Sequence, residues 1–109
     1  MKILRYQKED GSVPLSEWLS ALRDMQAKIA IRRRIDRLGD GNPGNTRALQ
    51  RGVHELKIDL GPGYRVYYAH HGQTIILLLC GGDKESQQTD IAKAIAYWGN
   101  WKNRNRSAT

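Results

Sequence analysis

Apolar and polar positions change period along the chain, and each change predicts an element. Lys2 to Gln7 sets Ile3 and Leu4 beside Tyr6 and predicts a short strand, which Asp10-Gly11-Ser12 breaks. Pro14 then opens a helix, where its missing N–H costs little. Leu15, Trp18, Leu19 and Leu22 recur at helical spacing as one apolar stripe. Asp24 is the predicted N-cap of a second helix that runs to about Leu38. Its buried face is Ala27 or the stem of Lys28, then Ile31, Ile35 and Leu38. Arg32, Arg33, Arg34 and Arg37 cannot all fit beneath that face, so most must project outward. Gly39-Asp40-Gly41-Asn42-Pro43-Gly44-Asn45 ends the helix.

Beyond this loop the alternation is that of strands. Val53 to Leu60 alternates loosely, and Tyr64 to Ala69 and Thr74 to Cys80 are apolar runs. His70-His71-Gly72-Gln73 is the turn between the last two. Thr89 or Ser86 caps a final helix with Ile91, Ala94, Ile95 and Trp98 on its inner face. The predicted order is β-α-α-β-β-β-α. The predicted fold is α+β: a mainly antiparallel sheet with helices packed on one face. Residues 1–102 form a single domain, and residues 103–109 a polar, frayed tail.

Composition adds a partner class. Eighteen Lys and Arg against eleven Asp and Glu give a formal charge of +7 and a pI near 9.9. A small domain this basic meets a polyanion: nucleic acid, an acidic protein or a membrane surface. Cys80 is the single cysteine, which excludes an internal disulfide and a cysteine-based metal site. It is read as core packing. The N-terminal MKILRYQKEDG has no long apolar region, and neither a signal peptide nor a membrane span is expected. The expected location is the cytoplasm, with no cofactor and no metal.

The candidate chemistry lies where the last two apolar runs begin and end. Arg65 follows Gly61-Pro62-Gly63-Tyr64, and Lys84 follows Gly81-Gly82-Asp83. In an antiparallel hairpin these two ends are neighbours, near backbone that glycine lets a ligand approach. Two convergent cations without a balancing carboxylate cluster predict an anion site, a phosphate above all. Alternation puts Lys57 and Asp59 on one face and His54 and Leu56 on the other. Lys57 can join Arg65 and Lys84, although Asp59 can pair with it. RNA offers such cations a reaction that needs no metal: the 2′-hydroxyl attacks the adjacent phosphorus, and fixed donors stabilise the growing charge. His54 is the best placed general base of the three histidines, unless it faces the helices; a lysine, Lys57 or Lys84, is the other candidate. Arg32, Arg33, Arg34 and Arg37, with Arg51, are the candidate RNA-phosphate contacts. Trp18, Trp98 and Trp101 are candidates for stacking on bases; Trp18 and Trp98 fit helix core faces better and are read as core, and the sequence does not decide Trp101.

Several segments together resemble the RelE/ParE superfamily of toxin–antitoxin toxins, closest to its HigB-like branch of addiction-module killer proteins, related to a phage Gp49-like family. They are Glu17-Trp18-Leu19, Gly52-Val53-His54-Glu55-Leu56-Lys57, Gly61-Pro62-Gly63-Tyr64-Arg65-Val66-Tyr67-Tyr68, Leu78-Leu79-Cys80-Gly81-Gly82-Asp83-Lys84, and Gln87 with Asp90-Ile91. The resemblance spans about Lys2 to Lys102. It implies a RelE-like microbial RNase-type fold and, for the nucleases of the superfamily, cleavage of mRNA on the ribosome. It also implies a cognate antitoxin that neutralises the toxin. Arg65 matches the arginine after the nucleases' Gly-Tyr, Lys84 a second catalytic cation, and Lys57 a basic position in the preceding strand. Asp90 stands near where those nucleases carry a tyrosine, with Tyr97 two turns on, and Glu55 stands where a lysine helps. The superfamily also contains DNA gyrase inhibitors, so a ParE-like gyrase poison and an inactive antitoxin-binding module are the alternatives to a nuclease.

Overall fold

Pro14 and Asp24 start their helices as the sequence predicts. The computed structural model describes residues 1–106. Its elements are β1 (Lys2–Arg5), α1 (Pro14–Ala21), α2 (Met25–Gly39), β2 (Thr46–Ala48), β3 (Val53–Ile58), β4 (Tyr64–His71), β5 (Ile75–Gly82) and α3 (Gln87–Arg106). Pro14 occupies the first helical turn of α1. The Asp24 carboxylate accepts the Ala27 N–H at 3.1 Å and caps α2.

The five strands lie in the order β1-β5-β4-β3-β2. Strands β2 to β5 form an antiparallel meander that returns beside β1, and β1 pairs with β5 in parallel. The sheet is therefore mixed. Short β2 was not predicted: its three residues, Thr46–Ala48, carry almost no apolar signal. It is fixed by pairing with β3 through the Gln50-Arg51-Gly52 turn, where Arg51 and Gly52 both have positive φ.

The expectation that the helices share one face does not hold. Helices α1 and α2 bury Leu15, Leu19, Ala27, Ile31, Ile35 and Leu38 against Leu56, Val66, Tyr68 and Leu78. Helix α3 lies across the opposite face, with Ala94 and Trp98 against Val53, Tyr67, Ala69, Leu77 and Leu79. The central strands are apolar on both faces, which is the pattern of a sheet covered twice. One-sided cover would leave the Tyr67 and Leu79 row in water.

Two boundaries also differ. His70 and His71 belong to β4, and the turn is Gly72-Gln73-Thr74. Helix α3 runs through Arg106, so the first four residues of the predicted tail are helical; residues 107–109 lie outside the described residues.

Candidate functional site

The register of the central strands assembles the site. Lys57 faces Arg65 directly across β3 and β4, and Arg65 faces Gly82 across β4 and β5. This row lies on the α3 face, at the end of the sheet where α3 begins. Lys84 follows two residues after Gly82 and is exposed. A Cβ placed on Gly63 would stand 3.2 Å from Arg65 Nη1 and 3.9 Å from Lys84 Cβ, so Gly63 sits between the Arg65 guanidinium and the root of the Lys84 side chain. With φ +78°, Gly63 holds a backbone conformation that suits glycine. Lys57, Arg65 and Lys84 thus do gather at one sheet end.

The expectation of cations without a balancing carboxylate is corrected. Glu55 is 2% exposed and shares the α3 face with Lys57 and Arg65. Its carboxylate accepts Arg47 Nε at 2.9 Å and Gln87 Nε2 at 2.8 Å, and lies 3.7 Å from Arg65 Nε. Burial raises the Glu55 carboxyl pKa. The hydrogen bonds from Arg47 and Gln87 and the charges of Arg47 and Arg65 outweigh it, and the net shift is downward. Glu55 is therefore a fixed anion at neutral pH.

Arg65 is 5% exposed, and its Nη1 donates to the Gly63 carbonyl at 2.5 Å. Its Nε has no hydrogen-bond partner among the described residues. A buried guanidinium donor left open is costly unless something accepts it. Asn45, Thr46, Arg47, Glu55, Lys57, Arg65 and Gln87 line a cleft of about 370 Å³ here. Lys57 reaches Asp59 at 3.5 Å, but both ends are well exposed, so the pair is a weak, screened one.

His54 does not join these residues. It lies on the opposite sheet face, stacked on Tyr68 with ring centroids 5.2 Å apart and 5.3 Å from His70. Burial and the neighbouring His70 lower its pKa. His54 is a half-buried packing group remote from Arg65.

The two glycines before Lys84 are strand residues, with their missing Cβ space already filled. A Cβ on Gly81 would lie 2.3 Å from the Trp18 ring, and one on Gly82 1.8 Å from Asp90 Oδ2. Gly82 thus admits the buried Asp90 carboxylate, which accepts Ser86 Oγ at 2.5 Å. The glycines serve helix packing and not ligand approach. Cys80 is buried, and burial together with the Asp90 charge pushes its thiol up to about 12, in keeping with a packing role.

Of the arginines of α2, Arg32, Arg33 and Arg37 are exposed. Arg34 is consumed structurally: it donates to the carbonyls of Lys57, Pro43 and Asn45 at 2.7, 2.9 and 3.2 Å. That ties α2 to β3 and the loop before β2. Arg51 is exposed in the β2–β3 turn, at the other end of the sheet from Arg65.

Arg47 was not singled out from the sequence, and Glu55 and Gln87 were named there only for the resemblance, not as one cluster with it. Period-two alternation from Lys57 marks Glu55 as its same-face neighbour, so that signal was present. Arg47 and Gln87 carry no comparable signal, because β2 is too short and α3 meets β3 only in three dimensions. Among the described residues no group of three His, Cys, Asp or Glu side chains could hold a metal, and no helix is long and apolar enough to cross a membrane.

A family model described as phage-derived protein Gp49-like, DUF891, matches residues 17–96. The chain belongs to the Gp49-like family. This is a toxin-like family of addiction modules. The matched span includes every residue that lines the cleft, from Asn45 to Gln87, and Lys84 outside that lining. The chain is also 43% identical over 83 residues to an uncharacterized protein of Haemophilus influenzae, covering 76% of this chain and 84% of that protein.

Proposed function

We propose that this protein is the toxin of a type II toxin–antitoxin pair, of the RelE/HigB kind, and that it cuts mRNA on the ribosome in the cytoplasm. What carries the reading is one observation: the Lys57–Arg65–Gly82 row ends beside exposed Lys84, with Lys57 and Arg65 lining a polar cleft. A phosphodiester offers oxygens for these donors. In this reading the 2′-oxygen attacks the adjacent phosphorus, and the bond from phosphorus to the 5′-oxygen breaks. A cyclic 2′,3′-phosphate and a 5′-hydroxyl result. Arg65, Lys84 and Lys57 stabilise the charge that grows on the non-bridging oxygens. Glu55 positions Arg65 and Arg47; a carboxylate held by two hydrogen bonds and lowered in pKa is a poor base. His54 faces away. The ribosome therefore supplies the acceptor for the 2′ proton, and water or Lys84 protonates the leaving oxygen. The cognate antitoxin, a helix-turn-helix protein from the adjacent gene, sets acidic or amphipathic chain over the cations.

The clean variant is Lys84→Ala, because Lys84 is exposed and no ion pair holds it among the described residues. Arg65→Lys keeps the buried charge beside Glu55 and removes the guanidinium fork. Each is expected to reduce mRNA cutting by about two to three decades while circular dichroism stays native. A folded Lys84→Ala protein with unchanged cuts and full growth arrest refutes the assignment.

A second reading, a ParE-like DNA gyrase inhibitor, has one observation in its favour. Glu55 already neutralises part of the Arg65 charge, as in a structural ion pair. Induction then stops replication and leaves mRNA intact, whereas the nuclease stops translation and leaves cut message.

A further inference from the structure

The far end of α3 carries a second feature that the phosphate cleft does not use. A groove of about 640 Å³ opens between the β4–β5 turn and the last turns of α3. His70, His71, Trp98, Trp101, Lys102 and Arg106 are among its lining. Trp98 and Trp101 stack at 5.6 Å with 17° between their planes. His71 meets Trp101 edge to face at 4.9 Å, and Lys102 Nζ stands 5.0 Å over the Trp98 ring. Trp98 is buried, while Trp101 is partly buried at the edge of the same apolar cluster.

Lys102 and Arg106 line the groove, and among the described residues no Asp or Glu does. The turn carrying exposed Arg51 abuts the same spot: a Cβ on its neighbour Gly52 would lie 3.0 Å from Trp98 Nε1. An aromatic floor with cations beside it, and without a carboxylate among the described residues, matches a nucleotide, whose base has a flat π face and whose phosphates are anionic. A duplex keeps its bases stacked inside and cannot offer that face.

We propose that this groove binds unpaired nucleic acid, with one base stacked on Trp101 and the flanking phosphates held by Lys102 and its cationic neighbours. The site stands apart from the cleft. Arg65 and His71 lie six residues apart on β4, about 20 Å at strand rise. Gln87 and Trp101 lie fourteen apart on α3, about 21 Å at helical rise. Both estimates place the groove several nucleotides from Arg65. The groove thus serves as a second hold on a single strand, whether or not the cleft cuts it.

The test uses the full chain and a single-stranded 2′-O-methyl RNA oligonucleotide, which removes the 2′-hydroxyl nucleophile and separates this inference from the nuclease reading. Binding is followed by tryptophan quenching and by fluorescence anisotropy at several salt concentrations. Trp101→Leu is expected to weaken binding about tenfold and to remove most of the quenching, and Trp101→Phe to restore affinity. Lys102→Glu, at an exposed position that does not endanger folding, is expected to weaken binding and flatten the salt slope. Lys84→Ala should leave the quenching in place. Unchanged affinity in Trp101→Leu and Lys102→Glu overturns the proposal. So does equal affinity for a duplex, or binding of an acidic aromatic peptide with no binding of the oligonucleotide.

Discussion

Glu55 shows how a single residue alters the meaning of its neighbours. With Glu55 at 3.7 Å, Arg65 is a restrained and partly neutralised guanidinium, and not a bare phosphate clamp. Removing one member of a buried pair leaves the other charge uncompensated. Glu55→Leu is therefore expected to cost about 3–5 kcal/mol in urea unfolding, and Glu55→Gln clearly less. A Glu55→Leu protein as stable as the parent would show that Arg65 is solvated in place. His54 makes a second expectation, in pH. Its pKa is depressed below the usual 6.5, by burial first and by His70 second. Above about 6.5 the folded and unfolded states are both neutral there, and His54 contributes nothing to the difference. As pH falls from 6.5 through the depressed folded value, the unfolded chain takes up the proton more readily, and stability drops. Melting should shift to lower temperature between pH 7.5 and 5.5, and His54→Gln should flatten that shift. An unaltered pH profile in the variant assigns the effect to other groups.

At the scale of elements, the junction of β5 with α3 is the most tightly determined. Gly82 has no side chain because Asp90 occupies that volume from the first turn of α3. Gly82→Ala is expected to destabilise the protein by about 1–3 kcal/mol through overpacking, and Asp90→Ala in the same chain to restore part of the loss. Additive losses in the double variant would mean that the two positions do not compete for space. Helix α2 presents the opposite case, a face with little packed on it. Arg33 and Arg37 lie four apart and exposed, whereas Arg34 is tied to three carbonyls. Neutralising Arg33 and Arg37 should weaken ribosome association and reduce its salt dependence without loss of stability. Pelleting with ribosomes across a salt series measures this; identical curves would leave α2 as a merely solvated face. Arg34→Ala should instead destabilise the fold.

At the scale of the whole molecule, charge and topology act together. Helices α1 and α2 cross one sheet face, from the β1–β5 side towards β3, while α3 spans the other. The α3 side thus carries two cationic regions, the cleft at its start and the aromatic groove at its end. A chain bearing +7 on so small a body needs its anionic partners to reach distinct places. An antitoxin that covers the start of α3 reaches the cleft, and one that covers its end reaches the groove.

The sequence alone determined the local elements and the cationic character. Pro14 and Asp24 start helices by their own chemistry, and Ile31, Ile35 and Leu38 declare a buried stripe by spacing. Alternation placed Lys57 and His54 on opposite faces, and the register of β3 with β4 agrees. Tertiary structure decided what each charge meets. The continuous apolar runs of β4 and β5 ask for cover on both faces, but which helix covers which face is decided only when α3 returns to the side opposite α1 and α2. Strand β2 exists only through its pairing with β3. The Glu55–Arg47–Gln87 cluster joins three elements distant along the chain, and Gly82 is needed only because Asp90 arrives above it. Periodicity reports which way a side chain points from its own backbone; its partner there depends on how distant segments pack.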